Sequence, residues 1–186
     1  IDRDHTPTPS ELRKRGILVR RLVRRPSRGQ ASHRLRASGQ ALPLLSGVWN
    51  DLIIAQHPCG DAPLVGAQLR YLIGSDHGWL GALGFGPAAF VLAARDQWIG
   101  WSTGARLGHL REVVGLSRLL IRQEIHCTNL ATKVLSLALG RLPEDWQARY
   151  GLRPVLVETY VDRSRFTGRS LSAANGLATF SSKRPS

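Results

Sequence analysis

Methionine is absent from all 186 residues, and the sequence opens on Ile1. That start reads as a piece of a longer chain. Cysteine is almost absent too: Cys59 and Cys127 are the only 2 copies, too few for the disulfide framework of a small secreted scaffold. A reducing, cytoplasmic setting is expected. No uninterrupted apolar run reaches the roughly 18 residues that cross a bilayer, so no membrane-spanning helix and no membrane partner are expected. The stretch from Ala41 to Ala55 is short and broken by Asn50 and Asp51, which excludes a signal-peptide core. Acidic side chains are scarce, 13 against 26 basic ones, for a formal charge of +13.

That charge is unevenly spread. Residues 1 to 40 hold 11 Lys and Arg against 3 Asp and Glu, so +8 of the +13 lies there and the rest carries +5. With few large apolar groups outside Ile17–Val23, residues 1–40 read as a disordered basic arm. Within it, Glu11 to Val23 is compatible with one short amphipathic helix. Such an arm attracts polyanions by counterion release, which makes nucleic acid the expected partner, while a merely solvated tail is the plain reading. The hydrophobic share of 42% supports one domain with a real core over residues 41–180, followed by a polar tail over 181–186.

Along the domain, Ala41 to Gln56 reads as a helix with Leu44, Leu45, Val48, Leu52 and Ala55 on its apolar face. Gln68–Ile73 and Trp79–Gly86 read as a hairpin around the Gly74–Gly78 turn, its second strand studded with glycines that permit close backbone approach. Phe90 to Ala93 reads as a further strand, and Thr103 to Leu110 as a short helix. The centre of the chain is a strand–helix–strand unit. Val113–Ile121 is short and rich in branched residues, apolar spacing turns helical from Leu130, and Pro154–Asp162 alternates again. Thr128 or Asn129 is suited to cap the helix, Gly140 and Pro143 to end it, and Pro143 to begin a second short helix carrying Trp146 and Tyr150. Ser170–Leu177 reads as a last short helix. The expected class is α/β, an α+β mixed sheet with this unit at its centre.

If both central strands are parallel, the loop Arg122–Thr128 lies at a strand's carboxyl end, where open α/β sheets bind ligands. Glu158, between Leu156 and Tyr160, is a carboxylate that must be paired or face a cleft, and Asp162 follows four residues on. Its plain reading is a structural ion pair with Arg118 or Arg122; its sharper reading is a general base or a metal ligand. Trp79, Trp98, Trp101 and Tyr71 suit a core, or stacking of bases beside Arg70, Arg95 and Arg106. His57, Cys59, His126 and Cys127 have donor atoms suited to zinc but no finger spacing, so no metal site is assigned.

Five segments together resemble the DruA-like domain of Druantia anti-phage systems, which also occurs in transposase-associated proteins. They are Pro63–Tyr71, Gly81–Phe85, Ala93–Trp101, Asn129–Ala131 and Pro154–Thr159. The likeness spans about Val48 to Asn175. It implies an acetyltransferase-like single domain in a defence or mobile-element protein that engages DNA, with defence-system or transposon partner proteins. The chain departs from the family pattern at Leu171 and Gly176, where a tyrosine and a tryptophan are expected, and at His57-Pro58. The turn Arg122–Thr128 has no glycine to wrap a pyrophosphate, which argues against coenzyme A and leaves the cofactor unknown.

The leading expectation is therefore a DNA-engaging defence protein with a cleft around Arg122, Glu158 and Asn175. Glu158 and Asn175 are its candidate catalytic residues, and Arg70, Arg95, Arg106, Arg118 and Arg122 its candidate nucleic-acid contacts. The alternatives are a group-transfer enzyme with Glu158 as base, or an inactive, decayed relative.

Overall fold

In the computed structural model of the chain, residues 18–22, 41–60, 62–76, 78–162 and 164–174 are described. They form a mixed α/β structure whose five strands lie in the order β1-β2-β3-β4-β5. The strands are β1 Leu18–Leu22, β2 Leu69–Ser75, β3 Gly78–Pro87, β4 Val113–Ile121 and β5 Leu156–Thr159. The helices are α1 Ala41–Gln56, α2 Ala93–Ile99, α3 Thr103–His109, α4 Leu130–Tyr150 and α5 Arg169–Ala173, with a 3-10 turn over Leu110–Glu112. The described residues divide into two compact units, those up to 64 with 68–84 and 118–128 in one, and 65–67, 85–117 and those from 129 onward in the other. Strands β3 and β4 run from one into the other.

The first unit is built on the expected hairpin. Leu69, Tyr71, Leu72 and Ile73 of β2 are all fully buried, so consecutive residues are covered on both faces. Helix α1 has the expected bounds, and Leu45, Val48 and Leu52 of the expected apolar face do pack on the core, with the stripe centred on Trp49 and Ile53. Trp49 and Ile53 are its buried residues, joining Leu72, Ala82 and Leu120 in a cluster against which Leu45, Val48 and Leu52 pack. Leu44 is 69% exposed and Ala55 is exposed as well. The stripe is turned because Trp49 has the largest apolar area to bury, and its Nε1–H finds the Leu83 carbonyl at 2.9 Å. The glycines of β3 do permit close approach. A Cβ at Gly81 would collide with the Leu120 carbonyl, and one at Gly84 would stand 2.8 Å from Leu64 and 3.1 Å from Trp49.

Within the basic arm, Leu18–Leu22 forms β1, antiparallel to β2 with Arg21 opposite Tyr71, where a helix over Glu11–Val23 was expected. Pairing satisfies backbone groups that β2 would otherwise present at an edge, and that long-range gain outweighs local helical periodicity. The rest of the arm and the tail lie outside the described residues.

In the second unit, β4 and β5 pair in parallel, Val113 opposite Leu156 and Gly115 opposite Glu158. This is the expected strand–helix–strand unit, but its parallel pair stands at one edge of the sheet and not at the centre, because β5 adds outside β4 and pairs with no further strand in the order. Two further details differ. Helix α4 does not stop at Gly140 but continues through Pro143 to Tyr150. Besides Leu135, its buried residues Leu130, Val134, Ala138, Leu142 and Trp146 recur every fourth position across the proline, so one continuous stripe holds both halves in one helix. Asn129 sits at the helix start with φ 61° and makes no side-chain cap, contrary to the capping role expected of it. Residues Phe90 and Val91, expected in a strand, are 63% and 62% exposed and irregular. With nothing to bury them there is no strand, and the next residues form α2, ended by Gly100 at φ 75°. The last described helix is Arg169–Ala173, starting one residue before the expected Ser170, while the expected end at Leu177 lies outside the described residues.

Candidate functional site

The most tightly connected polar group in the second unit gathers around Glu158. Alternation along β5 places this side chain opposite Val157 and Thr159, and only 8% of it is exposed. A carboxylate so enclosed needs donors for both oxygens. Oε1 accepts the Ala89 N–H at 2.6 Å, and Oε2 accepts Nη1 of Arg95 at 2.9 Å.

Arg95 comes from the first turn of α2 and is itself 2% exposed. Its Nη1 also donates to the Ala89 carbonyl at 2.8 Å, so guanidinium and carboxylate grip the two polar groups of one residue. Nε and Nη2 donate to Oδ1 of Asp96 at 2.9 and 2.8 Å. Asp96 also receives Nε1–H of Trp101 at 2.9 Å and, on its other oxygen, Nη1 of Arg106 at 3.1 Å. Two arginines thus face two carboxylates, which neutralises the charge taken from water. Burial works against ionisation of Asp96, but the hydrogen bonds from Trp101, Arg95 and Arg106 outweigh it and hold the carboxyl at about 2. Arg95 lies 5.5 Å from the Trp101 ring centroid, and Arg106 lies 5.7 Å from that of Phe90.

Three of the sequence-derived candidates therefore meet: Arg95, Arg106 and Glu158. The ion pair expected of Glu158 is present, but its partner is Arg95, not Arg118 or Arg122. Asp162 does not share a strand face with Glu158. It lies beyond β5 in a turn, where the hydroxyl and N–H of Ser164 lower its pKa. Asn175 is outside the described residues. The sequence reading missed Asp96, Trp101 as its donor partner, and Ala89. The adjacent Arg95-Asp96 pair was the available signal, since a neighbouring opposite charge invites a shared network.

Arg70, Arg118 and Arg122 belong to the first unit. Arg70 donates to Asn50 at 3.0 Å and Gln68 at 2.9 Å, and lies 4.4 Å from the centroid of Trp49. Arg118 donates to the Ala62 carbonyl at 2.6 Å. Arg122 donates to the Trp79 carbonyl at 3.2 Å and pairs with Glu124 at 3.4 Å. Nearby in sequence, Gln56 Nε2 donates to Glu124 at 3.1 Å. Among the described residues no three His, Cys, Asp or Glu side chains are placed to hold a metal ion. His57 accepts the Cys59 N–H on Nδ1 at 3.0 Å, and burial, then the charge of Arg118, lowers its pKa.

Among the described residues no helix is long and apolar enough to cross a membrane. A family model described as Druantia protein DruA matches residues 45–177, more than two thirds of the chain. No curated protein and no solved structure gives a match.

Proposed function

We propose a function from family and charge together: the chain belongs to the DruA family, proteins of Druantia anti-phage defence. Within that defence it acts as a DNA-binding module, working with other proteins of the system. Its +13 charge, concentrated in the first 40 residues, favours a polyanion over any acidic small molecule.

The observation that carries binding over catalysis is the state of Glu158. Both oxygens already accept strong donors, from Ala89 and Arg95, in a nearly closed setting. A general base needs a lone pair within reach of a substrate proton. Each oxygen keeps a further lone pair, but with 8% of the side chain exposed and the Arg95 cation against it, group transfer through Glu158 on an acetyltransferase-like layout would need this setting to open, so the acid reads as a brace of the fold.

The test is fluorescence anisotropy of the full chain on labelled DNA across a salt series. Binding should weaken steeply with salt, by a log–log slope near −0.9 for each phosphate neutralised on duplex. Changing Arg24, Arg25, Arg28, Arg34 and Arg36 together to Gln should flatten that slope, and Glu158→Gln should leave affinity unchanged wherever it folds. Salt-independent binding, or none, overturns the reading.

A further inference from the structure

The second unit carries an apolar pocket that the Glu158 network does not occupy. Its walls come from Trp98 and Ile99 at the end of α2, Trp101 after it, His109 and Glu112 around the 3-10 turn, and Val155 with Leu156 leading into β5. The cavity measures about 330 Å³, near the lower end of the roughly 300–1,000 Å³ typical of ligand pockets. Two of its walls are tied by the backbone, where the Val155 N–H donates to the Glu112 carbonyl at 2.9 Å.

We propose that this pocket takes one unstacked nucleobase bearing an exocyclic amino group, from single-stranded nucleic acid. The inference deepens the DNA-binding reading and rests on it. Trp98 is 50% exposed and Val155 75% exposed, an apolar surface left open to solvent rather than spent on the core. Indoles stack on any base through its π face. Trp101 is already fixed for this purpose, because Asp96 accepts its Nε1–H at 2.9 Å and so holds the ring.

The polar members choose between a base and an apolar side chain. The Glu112 carboxylate is partly exposed and reaches His109 Nδ1 at 3.1 Å. An aliphatic group in the pocket would offer that pair no hydrogen bond. A base brings two flat apolar faces and a donor edge together, and a carboxylate is an acceptor suited to the amino group of cytosine or adenine. The exposed Arg111, next to Glu112 in the chain, supplies a cation for the adjoining phosphate. A base inside a duplex cannot enter without leaving its stack.

The experiment titrates the full chain with labelled oligo-dA, oligo-dC, oligo-dT, an abasic oligomer and a duplex at one salt concentration. Oligo-dA and oligo-dC should bind at least about fivefold tighter than oligo-dT, the abasic strand or the duplex. Trp98→Ala, at a half-exposed position, should weaken oligo-dA and oligo-dC about tenfold with an unchanged salt slope. Glu112→Ala, which removes the acceptor, should bring both down to the level of oligo-dT. Circular dichroism of each variant establishes that it is folded. If Trp98→Ala binds single strands as the parent does, or abasic and base-bearing strands bind alike, the pocket assignment fails while DNA binding stands, and an apolar group of a partner protein becomes its occupant. Binding to none of the oligomers overturns both readings.

Discussion

Arg95 is nearly sealed from water, yet it makes four hydrogen bonds to three residues. Removing it leaves the enclosed Glu158 carboxylate without its cation, so Arg95→Ala should cost about 3–5 kcal/mol of stability. Glu158→Gln keeps the shape and leaves Arg95 its bonds to Asp96, and should cost less, about 1–3 kcal/mol. Urea unfolding of both variants measures the difference. Asp96 contributes on the acid side. Its folded pKa of about 2 lies below its ordinary value of 3.8, so its contribution is full above that ordinary value and fades as pH falls towards 2. Asp96→Asn should flatten the acid limb of the stability profile between about pH 4 and pH 2, read by circular dichroism. The need of Glu158 for a partner was legible in the sequence, because a carboxylate between Leu156 and Tyr160 cannot stay bare. The identity of that partner was not, since 63 positions separate Arg95 from Glu158 and only the fold closes that distance.

Helix α4 shows how local signals and packing can disagree. Pro143 removes a backbone donor in mid-helix, and the sequence marks a stop there. The buried stripe that runs past it to Trp146 overrides the stop. Pro143→Ala restores the donor without touching the stripe, so it should raise stability by about 1–3 kcal/mol in a urea titration. Gly81 in β3 is the opposite case. Its neighbour across the sheet is the backbone of Leu120, which cannot step aside as a flexible side chain could. Gly81→Ala should therefore cost about 3 kcal/mol or more and deplete folded protein, measured by far-ultraviolet circular dichroism. The elements α1, β2, β3, β4 and α4 were legible from periodicity and turn residues. The face of α1 was legible in part: Leu45, Val48 and Leu52 pack as expected, but Trp49 and Ile53 take its buried centre while Leu44 and Ala55 stay exposed, and that outcome depends on the sheet beneath. Strand β1 was hidden for a similar reason: its partner β2 is about fifty positions away, and Leu18–Leu22 alone has no preference strong enough to declare itself.

At the scale of the molecule, the two compact units are not successive stretches of chain. Strands β3 and β4 each have residues in both units, whereas β1 and β2 belong to the first and β5 to the second. Unfolding followed by tryptophan emission and by far-ultraviolet circular dichroism should give coincident transitions, as a single cooperative change requires. Two separated midpoints would show that the shared strands do not couple the units.

Interleaving also governs how the protein comes into being. During synthesis, α1 emerges well before β4 with Trp49 and Ile53 on its buried face, but the cluster they join includes Leu120. At about 5–20 residues per second, the ribosome needs several seconds to deliver the intervening chain. For that interval the growing polypeptide holds an unfinished core, and a message broken before the codon for Leu120 yields a product that cannot close it.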